Sequence, residues 1–148
     1  MLNFWVFIST GFGAGFFPKF PGTIGAILAI IGFYLVKPND SDLFISFLVI
    51  LFFLGVYSSA QAEKKLGHDS NHIIIDEIFG MLLSLLFVPI HWGTILAAFL
   101  LFRFFDIFKP FPINISQKLP VGWGVMIDDC LAGFFSMAII NTYFFWIQ

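Results

Sequence analysis

Long apolar runs, separated by short polar or glycine-rich segments, dominate the chain. The runs cover residues 24–36, 43–60, 73–90, 94–108 and 125–147. A bilayer interior admits only segments whose backbone groups are hydrogen-bonded internally, so runs of this kind are predicted to be helices. Residues 1–10 are aromatic but too short to span, and are predicted to form a helix in the membrane interface. The pattern predicts an all-α, polytopic integral membrane bundle of about five hydrophobic helices plus an N-terminal interfacial helix. Whether the runs 24–36 and 73–90 span the bilayer completely is left open by the pattern.

The segments that connect the runs differ in character. Residues 11–25 are dense in glycine and proline, which argues against a regular helix, and Thr23 is a predicted N-cap for the run that follows. Residues 61–72 form the one substantial hydrophilic stretch, and residues 109–124 form a loop rich in proline and glycine. The run 73–90 is predicted to break at its penultimate residue, a proline.

Composition supports lipid as the solvent. Of 148 residues, 59% are hydrophobic and only 11% are charged, with a mean hydropathy of +0.97. The length suits one domain, residues 1–148. A net charge of −2 argues against nucleic acid as a partner. No Lys or Arg precedes Lys19, so the N-terminus lacks the basic region of a secretory signal and is expected to remain. The single Cys130 is predicted to be a core residue.

The order of the runs predicts an orientation. If the turns 37–42 and 91–93 lie on one side of the membrane, residues 11–23, 61–75 and 109–127 lie on the other. The first side then carries only Lys37. The second side carries the remaining lysines, namely Lys19, Lys64, Lys65, Lys109 and Lys118, with Arg103 nearby. The bias of positive charge toward the cytoplasm predicts that the second side is cytoplasmic.

Five of the nine acidic residues lie against or inside apolar runs. They are Asp76, Glu77, Asp106, Asp128 and Asp129. An ionised carboxylate near the centre of a spanning helix costs about 2.5–3.5 kcal/mol even on the lenient insertion scale. An acid in the first turn of a helix gains only about 0.3–1 kcal/mol from the helix dipole. Helix capping alone is therefore a poor explanation, and these acids are predicted to be functional.

The acidic pairs are predicted to meet. Small residues at Gly80, Ala132 and Gly133 allow their helices to approach closely. Adjacent residues diverge by about 100° around a helix, so one acid of each pair can bind a metal while the other orients a ligand or water. Carboxylates grouped with cations at a membrane surface suggest a divalent metal and an anionic substrate.

Three charged residues, Arg103, Asp106 and Lys109, recur at every third position along one side of a helix end. Two interpretations remain open: an ion pair within the helix, or cations that bind an anionic substrate. The glycines of residues 11–25 do not fit the dinucleotide pattern GxGxxG. They either cradle a phosphate through backbone N–H groups, an interpretation that Lys19 favours, or form a re-entrant loop needed only for packing.

The histidines give less indication of a function than the acidic residues do. His68 and Asp69 are predicted to be solvated surface, with Asp69 an alternative contributor to the site. His72 and His91 are predicted to be interfacial.

Four segments resemble the blocks of the bacterial phosphatidylglycerophosphatase A family. They are GFGAGFFPKFPGTIG, HDSNHIIIDEIFG, FRFFDIFKPFPI and GWGVMIDDCLAG, in order and at similar spacing over residues 11–133. The resemblance implies an integral, multi-pass protein of the inner membrane, with its active site on the cytoplasmic face. It implies a magnesium-dependent phosphatase that converts phosphatidylglycerophosphate to phosphatidylglycerol.

The site residues follow from that resemblance and from the pattern of charges. The expected catalytic residues and Mg²⁺ ligands are Asp76, Glu77, Asp106, Asp128 and Asp129. The expected substrate-binding residues are Lys19, Thr23, Arg103 and Lys109. Mg²⁺ prefers oxygen ligands, which suits carboxylates at a wet membrane surface. A carboxylate-positioned water is the expected nucleophile, and an aspartyl-phosphate intermediate is the alternative.

Two other classes of function remain open from the sequence. An ion- or proton-coupled transporter also places acids within membrane helices, although it predicts them near the midplane rather than at the ends of runs. A lipid-binding scaffold without catalysis is less favoured because it has no use for three acidic positions. The lipid substrate and membrane lipids are the predicted partners, and the sequence does not indicate an oligomeric state.

Overall fold

The computed structural model describes residues 3–36 and 38–147. Its regular elements are helices, and the described residues include no strand. The helices are α1 (Phe4–Ser9), α2 (Pro21–Val36), α3 (Ser41–Leu66), α4 (Ile75–Ser84), α5 (Trp92–Phe108), α6 (Ile113–Ser116) and α7 (Trp123–Ile147), with a 3₁₀ turn at Ala14–Phe16. The all-α prediction is confirmed.

Two of the described helices, α3 and α7, are long and apolar enough to cross a membrane. Only 33% of the most apolar stretch of α3 and 22% of that of α7 are buried inside the protein. Large apolar side chains on their outer faces are exposed, including Ile50, Phe53, Phe134 and Phe145. Exposed apolar surface of this extent indicates contact with lipid or another apolar partner. The count of about five hydrophobic helices stays a prediction.

The run 73–90 is not one helix, which corrects the expectation for that segment. Helix α4 covers only Ile75–Ser84, and Phe87 has a left-handed backbone with φ of 61°. Ten helical residues rise about 15 Å, half of the roughly 30 Å hydrocarbon core. The chain therefore turns well before Pro89. The amide of Asn141, on α7, donates to the Leu86 carbonyl in this turn at 3.2 Å.

Helix α4 is the centre of the fold, in contact with α2, α3, α5 and α7. Its buried residues occupy several sides of the helix, among them Asp76, Phe79, Gly80, Met81 and Ser84. A helix that neighbours surround needs apolar residues on every face, which explains why its sequence resembled a membrane span.

Helices α4 and α7 approach each other through glycines, as the sequence predicted. A Cβ atom added to Gly133 would overlap the carbonyl oxygen of Gly80, and one added to Gly80 would lie 2.6 Å from the Asp129 carbonyl oxygen. Ala132 is fully buried beside them. This close packing brings the first turns of α4 beside the acidic residues of α7.

Two helix starts differ from the predicted ones. Helix α2 begins at Pro21, so Thr23 lies inside its first turn and is not the N-cap. Proline suits the first helical position because its fixed φ is helical and its missing N–H needs no partner there. Helix α7 begins at Trp123 rather than at residue 125, and α6 occupies part of the predicted loop 109–124.

Helix α3 extends into the predicted hydrophilic stretch 61–72 and ends at Leu66, followed by Gly67 with a φ of 94°. The residues QAEKKL are good helix formers, and Lys64 and Lys65 in the last turn complement the helix dipole. The helix therefore continues through residues 61–66 because they favour helix, although they are hydrophilic. Lys37, the one lysine predicted on the opposite side, lies outside the described residues.

Candidate active site

The site centres on three carboxylates from two helices. Asp76 and Glu77 lie in the first turn of α4, and Asp129 lies in the second turn of α7. One oxygen from each of them can be chosen so that all three lie within 4.8 Å of one another. Asp76 is 8% exposed and Asp129 is 2% exposed, and Glu77 is half-buried. These three residues are called the carboxylate cluster below.

Each member of the carboxylate cluster has an unsatisfied oxygen. Asp76 Oδ1, Glu77 Oε2 and Asp129 Oδ2 are buried and have no hydrogen-bond partner among the described residues. At the 4.8 Å that bounds their separation, two carboxylates repel by roughly 3–4 kcal/mol at an effective dielectric constant near 20. Buried acceptors that repel one another and lack donors suit a hard divalent cation, which takes oxygen ligands and neutralises the charge.

The remaining acid of α7, Asp128, is paired with a cation. Its carboxylate accepts a hydrogen bond from Lys109 Nζ, and it also accepts one from the Asp129 N–H at 3.0 Å. Lys109 ends α5 with a left-handed backbone, φ 43°, which turns the chain toward α7. Burial acts to lower the pKa of Lys109, but the adjacent Asp128 carboxylate outweighs it and raises that pKa above its usual value. Lys109 therefore stays charged.

Arg103 and Asp106 form an ion pair one helical turn apart on α5. This is the contact within the helix that one of the two sequence interpretations predicted. Arg103 also lies against another element: a Cβ added to Gly22 would be 3.1 Å from an Arg103 guanidinium nitrogen and would overlap the Glu77 carboxylate. The guanidinium therefore sits between α5, the start of α2 and the carboxylate cluster. The two interpretations are compatible.

The glycine-rich segment is packed rather than open. The N–H groups of Gly11, Phe12, Ala14, Gly15, Phe16 and Phe17 all donate to carbonyls of residues 7–14. Gly15 lies against the His72 backbone, and its carbonyl oxygen is 3.0 Å from His72 Nδ1. These bonds favour the packing interpretation for residues 11–17. Lys19 is exposed just beyond them, and Thr23 is half-buried in the first turn of α2.

Three segments predicted to share one side of the membrane do lie together. The Ile74 N–H donates to the Ser9 carbonyl at 2.9 Å, and the Gly122 N–H donates to Glu63 Oε2 at 2.7 Å. These bonds join residues around the glycine-rich segment, the end of α3 and the start of α7. The unusual residues therefore converge at one end of the bundle.

Sequence reasoning missed the structural role of Glu63. Besides Gly122, its carboxylate accepts from the Asp69 N–H at 3.1 Å and pairs with His68 at 2.7 Å. It holds two loops at the end of the bundle that bears the site. An acid in a hydrophilic stretch gives no sign of burial, and only the extension of α3 reveals it. His68 and Asp69 are exposed, as predicted.

The nine expected site residues thus fall into four groups. Asp76, Glu77 and Asp129 form the carboxylate cluster, and the pairs Arg103–Asp106 and Lys109–Asp128 each join an acid to a cation. Asp128 and Asp129 diverge around α7 and have different partners, as expected of adjacent helical residues. Lys19 and Thr23 are at the entrance to α2.

Buried carboxylates flanked by cations, at one end of an apolar helical protein, define a site suited to hydrolysis of an anionic ester. Comparison with known proteins identifies the class more closely. The chain belongs to the phosphatidylglycerophosphatase A family, which it matches over residues 7–144, and it is a phosphatase.

Relatives match over most of their length. The chain is 38% identical to phosphatidylglycerophosphatase A of Haemophilus influenzae, over 95% of this chain and 88% of that protein. It is 36% identical to phosphatidylglycerophosphatase A of Escherichia coli, over 95% and 83%. A Bacteroides thetaiotaomicron protein, provisionally named a phosphatidylinositol-3-phosphatase, is 41% identical over 91% and 90%. No solved structure matches the chain.

The family and the two candidate spans together indicate a membrane-associated phospholipid phosphatase. They give no support to a transporter, the alternative that the sequence had left open.

Proposed function

We propose that the protein hydrolyses the phosphomonoester of phosphatidylglycerophosphate to phosphatidylglycerol and phosphate. The observation that carries this proposal is the carboxylate cluster, flanked by Arg103 and Lys109, in a member of this family. Two relatives named for that activity match nearly the whole chain. The buried site lies at the end of an apolar bundle, which suits a substrate with a polar headgroup and lipid tails.

The cofactor in this proposal is Mg²⁺, held by the carboxylate cluster. Mg²⁺ is normally bound by one or two carboxylates and several waters, and three convergent buried oxygens can supply such ligands. When bound it would neutralise phosphate charge and lower the pKa of a coordinated water. The unsatisfied oxygens of Asp76, Glu77 and Asp129 support this assignment.

The cations of the site would bind the phosphate group. Arg103 offers a planar fork of donors that matches phosphate oxygens, whereas Lys109 and Lys19 act as point charges. The N–H groups at the start of α2, near Thr23, favour an anion through the helix dipole. Glu77 and Arg103 both lie against Gly22, so a phosphate at the start of α2 would be close to the carboxylate cluster.

Asp128 would orient the attacking water in this mechanism. It is buried, and Lys109 holds its carboxylate in place next to Asp129. As the water oxygen attacks phosphorus, the bond from phosphorus to the glycerol oxygen breaks, and Asp128 accepts the proton of the water. The glycerol oxygen leaves with a proton from solvent. Asp106, paired with Arg103, would fix the guanidinium for phosphate.

Phosphate release from phosphatidylglycerophosphate in detergent micelles tests this function. We expect rapid release with Mg²⁺ and none in excess EDTA, with activity returning when Mg²⁺ is restored. Phosphatidylinositol 3-phosphate, suggested by the name of the Bacteroides relative, serves as the competing substrate. Full activity in EDTA would contradict the metal-dependent mechanism, and preference for the inositol lipid would contradict the proposed substrate.

The placement in the membrane is part of the same proposal. We propose a multi-pass protein of the bacterial inner membrane, with about five hydrophobic helices and the site on the cytoplasmic face. The convergence of lysine-bearing segments at one end of the bundle supports this orientation through the bias of positive charge toward the cytoplasm.

Cysteine labelling of whole cells tests the orientation. Asn71 and Asn114 are exposed at the end of the molecule that bears the site, and each is replaced by Cys in a Cys130→Ala background. We expect an impermeant thiol reagent to label neither position until the cells are opened. Ready labelling of both positions in intact cells would place the site on the outer face instead.

A further inference from the structure

A large apolar groove lies beside the site. Its volume is about 650 Å³, and it is bounded by α2, α3, α4 and the turn between α2 and α3. Its lining includes Ala29, Gly32 and Val36 of α2, Phe47 of α3, and Ile78 and Leu82 of α4. This set of residues is called the α2 groove below. None of the catalytic roles proposed above uses it.

The α2 groove continues the face of α2 that touches the carboxylate cluster. Gly22 faces Glu77 and Arg103, and a Cβ added to Gly25 would lie 3.3 Å from Glu77 Cβ. Positions 29, 32 and 36 follow at spacings of three and four residues, so they lie on the same side of the helix. Where α2 and α4 separate beyond Gly25, that side becomes the wall of the groove.

The groove fits the length of a lipid tail. The lining residues of α2 run from Leu28 to Val36, a rise of about 12 Å, and Pro38 to Asp40 extend the lining beyond the helix. One leaflet of the bilayer contributes about 15 Å of hydrocarbon, half of the core. The groove therefore begins about one turn along α2 from Gly25, which contacts Glu77, and its length is close to that of the acyl chain within one leaflet.

The charges at the two ends of the α2 groove determine which end the headgroup of a bound lipid occupies. Among the described lining residues Asp40 alone is charged, and it stands at the end of the groove farthest from the cluster. An anionic headgroup is disfavoured next to Asp40. At the other end Arg103 and Lys109, together with the divalent cation proposed for the carboxylate cluster, would attract one. The headgroup of an anionic lipid belongs at the cluster and its tail in the groove.

We propose that the α2 groove binds an acyl chain of the substrate lipid and makes the enzyme selective for long chains. This inference rests on the proposed lipid phosphatase function. Burial of the tail supplies binding energy away from the reacting phosphate, and it fixes the headgroup over the carboxylate cluster.

Gly32 offers a direct test because a Cβ there meets no atom within 4 Å among the described residues. Gly32→Phe therefore places an aromatic side chain in the groove from a position where its Cβ has open space. Gly93 is the matched control: it is also exposed and helical, in α5, and a Cβ there has equally open space. Both changes replace an exposed helical glycine by phenylalanine.

The assay is a competition between dipalmitoyl and dioctanoyl phosphatidylglycerophosphate in the same mixed micelles. The two products are separated by mass, which gives the ratio of kcat/KM for the two substrates. We expect Gly32→Phe to lower the ratio of long-chain to short-chain turnover about tenfold, equivalent to about 1.4 kcal/mol or the burial of roughly two methylene groups. Gly93→Phe should leave the ratio at the wild-type value.

The outcomes separate this inference from the function on which it rests. If Gly32→Phe is active with an unchanged ratio, the groove does not hold the substrate tail, and the phosphatase assignment stands. If the wild-type enzyme hydrolyses neither lipid, both proposals fail.

Photolabelling of the wild-type enzyme tests the same proposal without a variant, so it remains informative if Gly32→Phe misfolds. A substrate with a diazirine at the end of one acyl chain should label residues 28–47. Labelling confined to α7 would overturn the proposal.

Discussion

Replacing Asp129 by Asn is expected to lower kcat by about 10³-fold or more, because the variant removes one of three convergent charges that would hold the metal. The change preserves side-chain shape. It also removes a repulsive charge from a buried cluster, so the variant should melt in EDTA at the same temperature as wild type or higher. Phosphate release and thermal melting in detergent, each with Mg²⁺ and with EDTA, measure both effects.

Asp42→Asn is the matched control for this experiment. Asp42 is also an acid near the start of a long apolar helix, but it is exposed, in the first turn of α3. It should retain wild-type turnover. Added Mg²⁺ should raise the melting temperature of wild type and of the control, but not that of Asp129→Asn, because only a bound ligand stabilises the folded state. Near-normal turnover of Asp129→Asn would contradict the site.

Replacing Arg103 by Lys is expected to lower kcat about 10²-fold although the charge is kept. The guanidinium can bind two phosphate oxygens at once, and an ammonium cannot reproduce that planar fork. Because such a contact tightens as charge develops on the transferred group, the loss should fall mainly on kcat rather than on KM. Steady-state kinetics with phosphatidylglycerophosphate separate the two constants.

Lys64→Arg is the control, because it exchanges the same two types of cation in the opposite direction at a position away from the site. Lys64 is exposed near the end of α3 and contacts Gln61, so exchange of its cation type should leave both constants unchanged. Lys19→Ala should chiefly raise KM, because an exposed cation in a loop gathers substrate more than it stabilises the transition state. An Arg103→Lys enzyme as active as wild type would limit Arg103 to its ion pair with Asp106.

The sequence predicted the helical class because apolar runs in lipid have few alternatives to helix. It misjudged α4 because burial among neighbouring helices and burial in lipid select the same residues. Hydrophobicity therefore indicated that residues 73–90 were removed from water. It did not indicate whether lipid or neighbouring helices surrounded them. The extension of α3 to Leu66 was missed for the opposite reason, since good helix formers carry no hydrophobic signal when they are exposed.

The acids that meet at one end of the bundle could be predicted as a set, but their geometry could not. The free-energy cost of placing ionised carboxylates in apolar helices identified the five acids. The small residues at Gly80, Ala132 and Gly133 predicted that α4 and α7 would pack closely. Sequence spacing could not show that Asp129 faces Asp76 and Glu77 while Asp128 turns to Lys109. That division depends on the rotation of α7, which the contact between Gly80 and Gly133 fixes. The role of Gly22 against Glu77 was equally hidden, because α2 starts earlier than its apolar run.

The most direct test of the site is the binding of a divalent cation to the carboxylate cluster. Mn²⁺ is titrated into the detergent-solubilised protein and followed by electron paramagnetic resonance, with wild type, Asp42→Asn and Asp129→Asn in parallel. We expect saturable binding that Mg²⁺ competes away in the first two proteins, and its loss in Asp129→Asn. Absence of saturable binding in wild type would contradict the account, since the buried carboxyl groups would then be neutralised by protons rather than by a metal.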